Sequence, residues 1–218
     1  MRLLKTGVLL GAASAFLFTL PTGAQAQLVL TGGFDGPLTG GLPKGIELCV
    51  LTNIADLSNY GVGSANNGGG TDGEEFTFPA VAATAGTFIY IASDSTSFFN
   101  FFGFSADYTS GSMLINGDDA IEVFCGGNVI DTFGDINVDG TGTGWDSLDG
   151  WFYRVGGTAP DGATFDINNW TFSGINNLEG GTTNATCTSP FPLGTYVHPP
   201  TAVEPTTWSK IKQTVELE

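Results

Sequence analysis

The residues best spaced for chemistry form the run Asp135-Ile136-Asn137-Val138-Asp139-Gly140. A calcium loop asks for oxygen-bearing side chains at positions 1, 3 and 5, glycine at 6, a backbone carbonyl at 7 and a carboxylate at 12. Asp135, Asn137, Asp139, Gly140, Thr141 and Asp146 fill those positions in order. Alternate residues can turn oxygens inward, and glycine permits the sharp bend that brings later residues round to the ion. Two departures weaken the match. Position 12 is Asp, whose arm is shorter than that of Glu, and no helical pattern flanks the loop. The run offers a structural calcium site, which would be of the weak class with a Kd on the order of 10⁻⁴–10⁻³ M. Set against it is a plain Asp139-Gly140 turn carrying solvated acids.

Other side chains offer less. Paired carboxylates can cleave glycosides, and Glu47, Glu74, Glu75 and Glu122 qualify by type. Glu47 and Glu122, however, fall out of phase with their apolar neighbours, as solvated strand positions do. The single histidine, His198, lies in Tyr196-Val197-His198-Pro199-Pro200 and reads as part of an extended linker. No enzyme activity is expected. The cysteines are Cys49, Cys125 and Cys187. An odd count in an oxidising compartment leaves one free or paired between molecules. Cys49 and Cys125 lie in or beside strands and are the favoured pair; the alternative is three small apolar residues with no bridge. No two are spaced for zinc.

The elements that must position these residues are short strands. Ile46, Leu48 and Val50 alternate with Glu47 and Cys49, and Ile121 and Val123 with Glu122 and Phe124. Phe88, Tyr90 and Ala92 alternate with Ile89 and Ile91, so both faces there are covered. Trp151, Tyr153 and Val155 form another set, and Trp170-Thr171-Phe172 another; Trp151 and Trp170 are expected in the core. Gly126-Gly127-Asn128 before Val129 to Phe133 reads as a hairpin. Asp-Gly pairs at 35, 72, 139, 149 and 161 supply turn residues. Strands every 10 to 20 residues with turn chemistry between them mean an all-β sandwich or barrel. Ser95 to Phe104 is the one place for a short helical turn, with its phenylalanines as core filler.

The ends differ from this middle. Arg2 and Lys5 precede an apolar stretch from Gly7 to Leu20, too short to span a bilayer. Pro21, Gly23 and Ala24-Gln25-Ala26 follow, and the whole reads as a signal peptide cleaved after Ala26. Its removal takes two basic residues and no acid, moving the net charge from −16 to −18. Secretion follows, with no membrane anchor expected. So acidic a chain also argues against a nucleic-acid partner, because phosphate affinity comes from Lys and Arg. After Tyr196 come prolines and then Trp208, Ile211 and Val215 on one helical stripe. The organisation is thus a signal peptide at 1–26, a β domain at 27–196 and a linker with a short amphipathic tail at 197–218.

The β domain resembles the bacterial, secreted lamin-tail domain (LTD) family. The likeness rests on Leu28 to Gly32 with Phe34-Asp35-Gly36, on Lys44 to Leu48 running toward Asp56 to Tyr60, and on Phe88 to Ser93. It continues through Asn116 to Val123 with Val129-Ile130-Asp131, and through Gly150 to Arg154 with Asn169-Trp170-Thr171. Singly these stretches are weak; their order along 27–196 carries the match. The resemblance implies an immunoglobulin-like β-sandwich that serves as a binding, adhesion or spacer module without a catalytic site. The expected function is a secreted, non-enzymatic module for binding a protein or surface partner. The alternatives are a structural spacer or accessory module associated with an extracellular nuclease or phosphatase and, less favoured, a hydrolase.

Overall fold

The computed structural model describes residues 26–198. The signal-peptide reading of 1–26 thus falls, but for Ala26, outside the described residues, as does the helical stripe at Trp208, Ile211 and Val215. The described chain forms two β-sheets packed face to face, an all-β sandwich. Its elements are β1 (Leu28–Leu38), β2 (Leu42–Val50), β3 (Tyr60–Ala65), β4 (Phe76–Thr77), β5 (Phe88–Ala92), α1 (Ser95–Phe102), β6 (Tyr108–Thr109), β7 (Ala120–Cys125), β8 (Asn128–Phe133), β9 (Trp151–Arg154) and β10 (Trp170–Phe172). One sheet runs β10-β9-β1-β2-β5-β6 and the other β4-β3-β7-β8. All pairings are antiparallel except β5 with β6.

The period-two pattern assigns the core. Leu28, Leu30, Ile46, Leu48, Val50, Ile89, Ile91, Phe152 and Trp170 point from the large sheet into one cluster with Val62, Ile121, Val123 and Phe133 of the small sheet. The hairpin between β7 and β8 turns on Gly126 and Gly127, both at positive φ, as a two-residue hairpin loop requires. Trp170 and Trp151 are 5% and 9% exposed, on opposite faces of the large sheet.

The large sheet is buried on its other face too, which the alternation alone does not reveal. Val29, Phe34, Cys49, Tyr90, Trp151 and Tyr153 form a second cluster beneath α1 and the segment ending at Tyr196, which contributes Leu178, Cys187 and Phe191. Helix α1 starts where the Asp94 carboxylate accepts the Ser97 N–H at 2.7 Å, and stops at Gly103, whose φ is +81°. Phe98 and Phe101 are buried as core filler, whereas Phe99 is exposed. Phe34 reaches this outer cluster because of a bulge. Leu30 pairs with Leu48 but Gly32 with Glu47, so Thr31 is an extra residue on β1, and the phase of the strand inverts after it.

The structure departs from the sequence pattern at two places. Glu47 and Glu122 are not solvated: they are 0% and 4% exposed. Glu47 lies under the C-terminal segment, and the chain before β4 crosses the outer face of β3, with Gly73 packed on Gly63, the register partner of Glu122. Asp35-Gly36 is not a turn either. It lies inside β1, and the reversal to β2 uses Gly40 and Gly41, both at positive φ. Asp35 instead pairs with Lys44 at 2.5 Å in a buried salt bridge.

Candidate functional site

A cleft of about 360 Å³ opens where the end of β3 meets the chain between β6 and β7. One wall is Ser64, Asn66 and Asn67, with Glu75 beside them; the other is Gly111, Ser112, Leu114 and Asn116, and Asp119 lies between. Local sequence explains the walls. Ala65 ends β3, and Asn67, at φ +48°, turns the chain in a conformation that Asn tolerates better than most residues. Across the cleft, Ser110 caps a single 3₁₀ turn at Gly111–Met113 by accepting the Ser112 N–H.

Asp119 ties the two walls together. One carboxylate oxygen accepts the Asn67 N–H at 2.9 Å, and the other accepts the Asn116 N–H at 3.0 Å. The residue is 2% exposed, and burial pushes its carboxyl above the usual Asp value, opposed by those two N–H groups. Glu75 holds the first wall, accepting the Ser64 N–H at 2.8 Å and the Ser64 hydroxyl at 3.2 Å. Lys44 holds the second: its Nζ donates to Asn116 Oδ1 at 2.9 Å while paired with Asp35. The bond from Lys44 fixes the orientation of the Asn116 amide, whose NH₂ group makes no hydrogen bond to a described residue. Among the described residues, the amides of Asn66 and Asn67 make no side-chain hydrogen bond to protein. The cleft is therefore a preformed, polar site whose fixed carboxylates orient a rim of amides and hydroxyls.

The proposed calcium residues are placed differently. Asp135 accepts the Asn137 N–H at 3.0 Å, and Asp139 accepts the Thr141 N–H at 2.9 Å, each closing its own local turn. Asp146 accepts the N–H groups of Gly142 and Leu148 at 2.7 and 3.1 Å. Thr141 donates its hydroxyl to Asp118 at 2.9 Å. Among the described residues no group of three or more His, Cys, Asp or Glu is arranged to hold a metal ion. The loop therefore gives the calcium reading no geometric support. Gly140 has a reason unrelated to an ion. A Cβ there would run into the Trp145 ring, and Trp145 packs edge-on against Phe133 in the core.

The disulfide expected between Cys49 and Cys125 is not formed; Cys49, Cys125 and Cys187 are all free. Cys49 belongs to the outer cluster of the large sheet, while Cys125 packs against the inner core, so the sheet separates them. Burial pushes the Cys49 thiol up to about 11, with the Glu47 charge adding to it, which leaves it an inert thiol at neutral pH. Glu74 accepts the Thr77 hydroxyl at 2.6 Å. His198 is half-buried at the end of the described chain, beside Val197, whose carbonyl accepts the Gly157 N–H.

Two buried networks brace the sandwich. Glu47 accepts hydroxyls from Thr31 and Tyr153, each at 2.7 Å, and the Gly194 N–H at 2.8 Å. The Tyr153 oxygen accepts the Thr195 and Tyr196 N–H groups in turn, so the carboxylate pins the C-terminal segment to the sheet. Burial raises the Glu47 carboxyl from its ordinary value, and those donors oppose it. On the other face Arg154 donates to both Asp131 oxygens at 2.7 and 2.8 Å, donates to the Leu30 carbonyl, and stacks 4.2 Å over the Trp170 ring. Lys44 and Arg154 are the only Lys or Arg among the described residues, and both are buried. The described surface therefore carries no lysine or arginine.

The sequence singled out none of Ser64, Asn66, Asn67, Ser112 or Asp119 as site residues. Asn116 and Asp119 lay in a stretch already noted for its family likeness; the others carry no spacing that a motif would catch. Among the described residues no helix is long and apolar enough to cross a membrane. No family model, curated protein or solved structure matches the chain.

Proposed function

We propose that the chain is a secreted, non-enzymatic β-sandwich module of the lamin-tail, immunoglobulin-like type, and that it works by binding at an extracellular surface. The observation that carries this reading is the cleft tied shut at its base by Asp119. Its walls are fixed by charged groups turned toward the protein's own backbone, while amides and hydroxyls remain on its rim. Asp119 uses both oxygens on backbone N–H groups and Glu75 uses one on Ser64, roles that suit holding a recognition surface better than proton transfer. A surface without lysine or arginine among the described residues also suits partners other than nucleic acid.

The test has two parts. Mass spectrometry of exported protein should find an amino terminus at Gln27; an intact Met1 on exported protein would defeat the secretion half. Fluorescently labelled chain should be retained on the envelope or matrix of the producing cells and released intact, with no chemical change in the material that held it. Absence of retention would defeat the binding half, and turnover of the retaining material would revive the hydrolase alternative.

A further inference from the structure

Resting on that reading, we infer that the cleft between Ser64 and Asn116 takes a neutral, polyhydroxylated ligand, a saccharide unit of an extracellular glycan. An anionic ligand would enter beside Glu75 and Asp119 with only Lys44 near, and Lys44 is already neutralised by Asp35. An apolar ligand would find no aromatic side chain in the lining and only Leu114 as a large apolar contact. A metal ion would need carboxylate oxygens turned inward together. Instead both oxygens of Asp119 accept backbone N–H groups, and one oxygen of Glu75 accepts Ser64.

What remains on the rim matches hydroxyl groups. A sugar hydroxyl donates and accepts at once, and so do amides and serine hydroxyls. Asn66 and Asn67 offer complete amides, and Asn116 offers an NH₂ group whose orientation the Lys44 bond to its oxygen sets. Ser112 adds a hydroxyl that already shares a 2.8 Å hydrogen bond with Ser110 and keeps acceptor capacity for a ligand, and the exposed Leu114 adds an apolar patch for the C–H face of a ring. A cleft of about 360 Å³ is at the small end for ligand sites, enough for a short segment of a glycan chain. The walls need not move to meet it, since Asp119 already holds both, so little ordering entropy opposes binding.

The experiment titrates ¹⁵N-labelled chain with maltotriose, cellotriose and mannotriose, and with trigalacturonate as the anionic comparator. The expected result is millimolar binding of at least one neutral trisaccharide, with amide shifts confined to 64–68 and 111–116. Trigalacturonate should leave those amides unmoved. Asn66→Ala and Asn116→Ala alter side chains outside the core and should each weaken binding about fivefold, the worth of one net hydrogen bond. Cleft amides that stay still with all three neutral sugars would overturn the inference, as would shifts that survive both substitutions or equal binding of trigalacturonate. The cell-retention assay separates the two levels. Retention that persists in Asn116→Ala, with no sugar moving the cleft, removes the saccharide and leaves the binding module standing. Loss of retention in the parent chain removes the module itself.

Discussion

Replacing Asp119 should open the cleft before it unfolds the domain. Asp119→Ala deletes two charge-assisted hydrogen bonds, to the Asn67 and Asn116 N–H groups at 2.9 and 3.0 Å. Each such bond contributes roughly 1.5–3 kcal/mol. Two set the gross loss at about 3–6 kcal/mol, and relief from burying a carboxylate that is 2% exposed offsets part of it. Water can reach both N–H groups once the walls part, because Asn67 and Asn116 are themselves exposed. The net cost should therefore settle near 2–3 kcal/mol, below the ~5–15 kcal/mol of a typical domain. Asp119→Asn keeps one acceptor oxygen but turns an NH₂ group toward the other N–H, so its cost should be similar rather than intermediate. Urea unfolding followed by tryptophan fluorescence measures the loss, with an unchanged slope as the check that the folded and unfolded states are comparable. Hydrogen exchange then locates it: the Asn67 and Asn116 amides should lose protection while amides in β1 and β2 keep theirs. A cost under about 1 kcal/mol, or unchanged protection of both amides, would refute the role of Asp119 as the tie between the walls.

Three further outcomes are expected. Asp131→Ala leaves the buried Arg154 with only its longer, 3.4 Å pair to Asp161 and should cost about 3–5 kcal/mol in urea. The double change Asp131→Leu with Arg154→Met should recover less than half of that, since Leu30, Ala159 and Asp161 lose partners with it; full recovery would mean that the backbone bonds contribute little. Glu47 titrates above its ordinary 4.5 when folded because of burial, so its stabilisation is full below that value and is lost as pH rises through the raised one. The melting temperature of the parent should therefore fall relative to Glu47→Gln as pH increases from 4 upward, and a difference that stays constant or widens in the other direction would contradict the sign. The chain carries a net charge of −16, and screening its self-repulsion should raise the melting temperature as the Debye length falls from ~30 to ~3 Å between about 0.01 and 1 M NaCl. A flat or falling melting curve would show that the acids are already compensated.

The all-β class and most strand positions are legible in the sequence. Ile46, Leu48 and Val50 recur at the period of a strand, and a strand places every second side chain on one face whatever surrounds it. Gly126-Gly127 encoded its hairpin, and Ser95 to Phe102 its helix, because turn and cap chemistry acts over a few neighbouring residues. What covers the second face of the large sheet depends on long-range packing. An alternating strand reads identically whether its polar side meets water or a C-terminal segment, so Glu47 looked solvated, although its partner Gly194 lies 147 residues on. The bulge at Thr31 was equally hidden: it is a property of two paired strands, and it moved Phe34 from one core to the other. The cleft was invisible for the same reason. Ser64, Glu75, Asn116 and Asp119 come from segments far apart in sequence, and no local pattern records that Asp119 will reach the Asn67 N–H, 52 residues earlier.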